Sequence, residues 1–70
     1  MTWYRGSYGN WADGNYTRIE GSYSFSDIIS RARVIAAEKN ITVTVEEQRG
    51  TCRGIYSRYY EVTANGWKEV

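Results

Sequence analysis

The chain has 70 residues, which is enough for one domain, so we expect residues 1–70 to form a single domain. Its core should be thin, because so short a chain buries only about 60% of the surface that it exposes when unfolded. Nine Lys and Arg residues stand against eight Asp and Glu, and the formal net charge of +1 excludes an overall field that would draw the protein to nucleic acid or to an anionic membrane. One cysteine, Cys52, excludes an internal disulfide, and no apolar run is long enough to span a bilayer, so we expect a cytoplasmic protein with no membrane partner.

The first third of the chain is rich in Gly, Asn, Ser and aromatic residues, a composition that predicts short strands and tight turns. Asp13-Gly14 favours a tight turn at a hairpin corner, because both residues accept a positive φ. The stretch from Tyr16 to Glu20 is predicted to be a strand that leaves this turn.

A helix is predicted from Phe25 to Lys39. Ser24 is expected to cap its start, with Ser26 as the alternative cap, and Asn40 is expected to end it in the left-handed conformation. At about 100° per residue, one face of this helix is apolar and should pack onto a sheet. The apolar face consists of Phe25, Ile28, Ile29, Ala32, Ile35 and Ala36.

The sequence after the helix alternates as a half-buried strand does, with Ile41, Val43 and Val45 on one side. A loop is predicted from Glu47 to Gly54, followed by a strand from Ile55 to Thr63. Asn65-Gly66 then predicts a hairpin turn into a last short strand. We therefore expect an α+β fold, an antiparallel sheet of three to five strands with one helix packed on one face, in the order ββαβββ or βαβββ.

The side chains that catalysis needs are scarce. The chain has no histidine, which removes the usual general base near neutral pH and the commonest transition-metal ligand. Cys52 has no evident activating base, and a lone cysteine in a loop is the simpler interpretation. The glycines match neither the phosphate-binding loop nor the dinucleotide fingerprint. We expect a protein that is not an enzyme, with no catalytic residues, no cofactor and no metal site.

The segment from Arg49 to Tyr60 interleaves arginine with tyrosine and contains no acid. Arginine on phosphates and tyrosine rings under bases can hold single-stranded nucleic acid. The simpler interpretation, which we favour, makes the tyrosines the core side of a strand and the arginines a solvated rim. Arg58 shares strand parity with Tyr56 and Tyr60, so either a bulge lies there or that face is exposed. The basic residues concerned are Arg49, Arg53 and Arg58.

The N-terminal third holds aromatic residues among glycines, with almost no aliphatic side chains. Two interpretations are open. These rings form a binding surface for a partner, or they cover the sheet where a single helix cannot. The residues concerned are Trp3, Tyr4, Tyr8, Trp11 and Tyr16.

The run Ile19-Glu20-Gly21-Ser22-Tyr23-Ser24, the segment 33–36, Ile41-Thr42-Val43 and Asn65-Gly66-Trp67 together resemble the layout of small phage-encoded inhibitors. These include some anti-CRISPR proteins and the phage inhibitors of bacterial RNA polymerase. The resemblance implies a compact protein that occupies a surface on a host protein or ribonucleoprotein complex. The sequence leaves both a monomer and a homodimer open. The alternative is a nucleic-acid-binding module that uses the Arg/Tyr patch. The expected partner-binding residues are Trp3, Tyr4, Tyr8, Trp11, Arg49, Arg53, Tyr56 and Arg58.

Overall fold

The computed structural model describes residues 2–10, 12–51 and 53–70. Over these residues the chain forms β1 (Thr2–Asn10), β2 (Asn15–Ser22), α1 (Phe25–Lys39), β3 (Val43–Thr51), β4 (Gly54–Thr63) and β5 (Gly66–Glu69). The strands form one antiparallel sheet in the order β2-β1-β3-β4-β5. Helix α1 packs on one face of it, so the predicted α+β fold is confirmed in its ββαβββ form.

The helix begins and ends where the sequence predicts. The Ser24 hydroxyl accepts a hydrogen bond from the Asp27 N–H at 3.3 Å, which satisfies one of the free donors of the first turn. Asn40 adopts φ 54°, and its N–H bonds the carbonyl of Ala36. The predicted apolar face is confirmed, whereas Val34 on the opposite side is exposed.

The core lies between α1 and the middle of the sheet. The predicted alternation of β3 is confirmed, because Val43 and Val45 are buried under the helix while Glu46 lies on the other face. Phe25, Ile35 and Ile41 pack at the margins of the core. The buried cluster is Ile28, Ile29, Ala32, Ala36, Val43, Val45, Tyr60 and Val62.

The loop predicted from Glu47 to Gly54 is wrong. β3 continues to Thr51 and pairs with β4 in an unshifted register from Val43↔Val62 to Thr51↔Gly54. β1 pairs with the other edge of β3 as far as Arg49. This pairing satisfies the backbone of a segment whose polar side chains alone would not specify a strand.

The first third also forms longer strands than predicted. β1 has nine residues and β2 has eight, and the predicted hairpin corner at Asp13-Gly14 lies between them. Gly9 explains how β1 passes close to β2: its φ is +113°, and a Cβ there would lie 2.4 Å from the carbonyl oxygen of Asn15. The hairpin predicted at Asn65-Gly66 is also present, with Gly66 paired to Thr63.

Within the described ranges, no helix combines the length and the apolar character needed to cross a membrane.

Candidate functional site

The candidate site is the part of the β3–β4 hairpin that lies beyond the buried core, residues 48–51 and 53–59, called here the basic hairpin end. From Gly54 to Tyr59 each residue of β4 is exposed, and burial begins only at Tyr60. The large side chains of Ile55 and Tyr56 are 73% and 56% exposed. Because Ile55 and Tyr56 are this exposed, they contribute little to the core and are available for contacts with another molecule.

Charge is distributed unevenly between the basic hairpin end and the rest of the protein. Arg49, Arg53 and Arg58 lie in this segment, which contains no Asp or Glu, so it carries a charge of +3. Removing these three from the nine basic residues leaves six against all eight acidic residues, a net charge of −2 for the remainder. The near-neutral total therefore conceals a local positive patch of the kind that attracts anionic partners.

Three side chains of the site, those of Arg49, Tyr56 and Arg58, share the helix-side face of the sheet with Glu47. Arg49 lies directly opposite Tyr56, and Arg58 lies directly opposite Glu47. With Ser57 they line a cleft of about 380 Å³. The β3–β4 register has no bulge here, so Arg58 lies on the same face of the sheet as Tyr60. This face is buried at Tyr60 but open to solvent at Arg58, two residues earlier in β4.

Glu47 joins this cleft to the core. It is only 6% exposed, accepts a hydrogen bond from the Tyr60 hydroxyl at 3.2 Å, and has one carboxylate oxygen 3.9 Å from the Arg49 guanidinium. The pKa values of Tyr60 and Tyr4 are raised above the ordinary value for tyrosine. Burial is the largest cause, followed by the charge of Glu47 and a hydrogen bond to its carboxylate. Glu47 thus lies at the base of the cleft, between the buried Tyr60 and the arginines Arg49 and Arg58.

Within the part of the chain that the structure describes, no strand pairs with the outer edge of β4 at Ile55 and Ser57. β5 pairs with β4 only from Tyr60 to Thr63, and the Val70 N–H donates to the Tyr59 carbonyl at 2.9 Å. In an antiparallel ladder alternate residues direct their N–H and C=O groups to the same side, so those of Ser57 and Ile55 point, like the Tyr59 carbonyl, away from β3. Among the strands of the described chain, none pairs with this stretch of edge.

The N-terminal aromatic residues that the structure describes do not form one surface. Tyr4 and Tyr8 are half-buried and pack against the core, and Tyr4 meets Phe25 edge to face at 5.4 Å. Trp3 lies on the opposite face, where its ring covers Gly21 and meets Tyr23 at 4.7 Å. Trp11 falls outside the described residues, as does Cys52.

Tyr16, the remaining aromatic residue of this group, lies on the outer edge strand β2 beside Arg18, whose guanidinium carbon is 5.7 Å from the ring centroid. The four described rings of this group therefore divide: Tyr4 and Tyr8 cover the core, and Trp3 and Tyr16 lie at separate places on the opposite face.

A second polar group lies on the sheet face opposite the helix. Arg5 contacts Glu46 at 2.6 Å, and the Tyr59 hydroxyl donates to the other oxygen of Glu46 at 3.3 Å. Burial favours a raised pKa for Glu46, but hydrogen bonds from Arg5, Ser57 and Tyr59, together with the charge of Arg5, outweigh it and hold the pKa below the usual value. These groups border a cavity of about 380 Å³ that Arg18 also lines. Because Glu46 already accepts hydrogen bonds from Arg5, Ser57 and Tyr59, this group is better suited to fixing the sheet than to chemistry.

Sequence patterns identified the arginines and Tyr56 but missed the free edge, and with it Ile55 and Ser57. The run from Ile55 to Thr63 predicted a strand, but a strand pattern carries no signal of whether its outer edge is paired. Over the residues that the structure describes, no three His, Cys, Asp or Glu side chains lie together as metal ligands would. No protein-family model, curated protein or solved structure matches the chain.

Proposed function

We propose that this chain is a small non-enzymatic binding protein that occupies a surface on a larger host protein or ribonucleoprotein complex, with the basic hairpin end as its contact surface. The observation that carries the proposal is the placement of three arginines and two large apolar side chains on an exposed strand pair, in a protein whose remainder is net negative.

The chemistry of these side chains suits partner binding. Arginine and tyrosine are enriched among residues that dominate interface energies, because each combines a large contact area with directional donors. Arg49 and Tyr56 face each other across the strand pair, and Arg58 adds a second guanidinium on the same face. The regular register of β3 and β4 fixes the backbone from which these side chains extend, so binding does not have to order the backbone as well.

An origin in a phage or another mobile element is part of this proposal, and the resemblance to phage-encoded inhibitors is what supports it. Such a protein acts by steric occupation of a host surface, a role that requires no reactive group of its own. Trp3 and Trp11 belong to the same proposal as a second contact region, whereas Tyr4 and Tyr8 pack against the core.

The test is a pull-down of tagged protein from bacterial lysate, with and without nuclease, for three forms of the chain. The site variant carries Arg49→Glu and Arg58→Glu, and the matched control carries Arg18→Glu and Arg33→Glu, which change the net charge equally at exposed positions elsewhere. We expect a discrete protein partner that survives nuclease, is lost by the site variant and is retained by the control. Equal retention by all three forms would contradict the proposal.

Nucleic-acid binding is the second candidate, favoured by the shared face of Arg49, Tyr56 and Arg58. A two-stranded β-ribbon fits the major groove, and tyrosine rings stack on unpaired bases. Under this alternative the captured material vanishes with nuclease, and the affinity for oligonucleotides falls steeply with salt because bound phosphates release counterions.

A further inference from the structure

We propose that the partner of the basic hairpin end supplies an acidic, extended segment that pairs with the free outer edge of β4 and adds a strand to the sheet. The inference rests on the proposed function and deepens it, because it names both the mode of binding and the chemistry of the partner. Its basis is the free edge at Ile55 and Ser57, together with the charge of the segment that carries it.

The edge is suited to strand addition because it is regular. The β3–β4 register runs without a shift from one end to the other, so the free groups of β4 are evenly arranged. The other long edge of the sheet, the outer side of β2, differs in this respect: the β1–β2 register shifts between Tyr4 and Gly6. Bulges and mixed charges such as Arg18 and Glu20 are ways in which proteins protect an edge from pairing.

The side chains that flank the free edge determine what the added strand must look like. On the helix-side face the edge presents Tyr56 and Arg58, with Arg49 behind them on β3. On the opposite face it presents Ile55 and Tyr59, which are large and exposed. Since successive residues of a strand point to opposite faces, the best partner alternates acidic residues over the arginines with apolar residues over Ile55 and Tyr59.

Charge also decides between an acidic partner and a second copy of this chain. Pairing two copies through the same edge would bring two segments of charge +3 together, with an arginine of each beside the other's strand. Like charges on paired strands are destabilising, and an acidic segment replaces that repulsion with attraction.

The first test uses a blocked synthetic peptide in which glutamate and valine alternate. Its controls are a peptide of the same composition with the glutamates and valines in separate blocks, and an alternating peptide with lysine in place of glutamate. We expect saturable binding of the alternating acidic peptide only. In the complex, the amide protons of Ile55 and Ser57 should gain protection from hydrogen exchange, while those of Tyr56 and Arg58, which face β3, should be protected with or without peptide.

Two results of this first test would overturn strand addition. One is the absence of saturable binding of the alternating acidic peptide. The other is binding of the block peptide with equal affinity, or binding without new protection at Ile55 and Ser57, since simple charge attraction would explain either.

The second test compares Ser57→Pro with Ser57→Ala. Both variants lose the hydroxyl, but only proline removes the N–H that points to the free edge, and proline is tolerated on an edge strand when that N–H does not belong to the ladder. We expect Ser57→Pro to weaken binding of the alternating peptide by about fivefold or more, the effect of losing one backbone hydrogen bond, and Ser57→Ala to leave it unchanged. Circular dichroism and the protection of Tyr56 confirm the fold of each variant. If the proline variant does not fold, hydrogen exchange in the unmodified protein decides the question: new protection of Ile55 and Ser57 by the peptide supports strand addition, and its absence overturns it.

The pull-down separates the two proposals. A partner lost by the Arg49→Glu and Arg58→Glu variant but retained by Ser57→Pro would leave the proposed function standing and overturn strand addition. A partner lost by both variants but retained by Ser57→Ala would support both.

Discussion

Tyr59 and Tyr60 are adjacent in β4 and each donates a hydroxyl hydrogen bond to a glutamate, yet they lie on opposite faces of the sheet. Tyr60 and its acceptor Glu47 are both 6% exposed. Tyr60→Phe removes the bond and leaves a buried carboxylate with one donor fewer, a loss of about 1.5–3 kcal/mol for a hydrogen bond to a charged group. In a domain of this size the melting temperature, Tm, should fall by about 6–24 °C.

Tyr59→Phe is the matched control. Tyr59 is 46% exposed, and water can replace its bond to Glu46, so we expect a cost of no more than about 0.5–1 kcal/mol. Urea unfolding at neutral pH, followed by circular dichroism, measures both variants. Equal losses of unfolding free energy in the two variants would refute the assignment of Glu47 as a buried, tyrosine-dependent acceptor.

The Tyr60–Glu47 pair also leads to a pH-dependent prediction. The pKa of Tyr60 is raised in the folded protein by burial and then by Glu47, so the unfolded chain releases this proton first as the solution becomes alkaline. The stabilisation from Tyr60 is fully present below the ordinary tyrosine pKa of about 10 and is lost as the pH rises through the folded value. Tyr60→Phe should therefore reduce the fall of stability with rising pH in that range, whereas an unchanged slope would contradict the cause given for the shift.

Two further substitutions test the sheet. Gly9→Ala places a Cβ at a positive φ and 2.4 Å from the Asn15 carbonyl oxygen. The free energy of unfolding, measured by urea titration, should therefore fall by about 1–3 kcal/mol. An unchanged urea midpoint would show that β1 takes another path. Arg5→Met removes the cation beside Glu46, whose pKa is held low in the folded state despite burial. The wild-type advantage, at most about 1 kcal/mol for so exposed an arginine, should be present near neutral pH and vanish as the pH falls through the folded pKa of Glu46; a difference independent of pH would argue against the ion pair.

The sequence predicted the helix and its neighbours well because their signals are local. Ser24 caps through the N–H of a residue three positions on, Asn40 ends the helix through its own left-handed backbone, and the apolar period lies within one segment. The alternation of Val43 and Val45 is local in the same sense. These features supported the α+β class before any contact between distant segments was known.

The candidate site could be predicted only in part. Arg49, Arg53, Arg58 and Tyr56 were identified from composition, but their segment was divided between a loop and a strand. Whether Gln48 to Thr51 forms a strand depends on hydrogen bonds from two other strands. β1 is distant in sequence, and β4 follows only later in the chain. Polar side chains carry no signal of that pairing.

By itself, the sequence determined the elements with local signals: the helix, its caps, the alternating start of β3 and the two glycine-containing turns. Tertiary structure alone decided that α1 buries Tyr60 but leaves Arg58 exposed on the same face, and that β5 is too short to cover the edge at Ser57. The physical reason is that burial and edge pairing depend on where a separate segment of chain begins and ends over the sheet, and that placement is set by packing and strand register together.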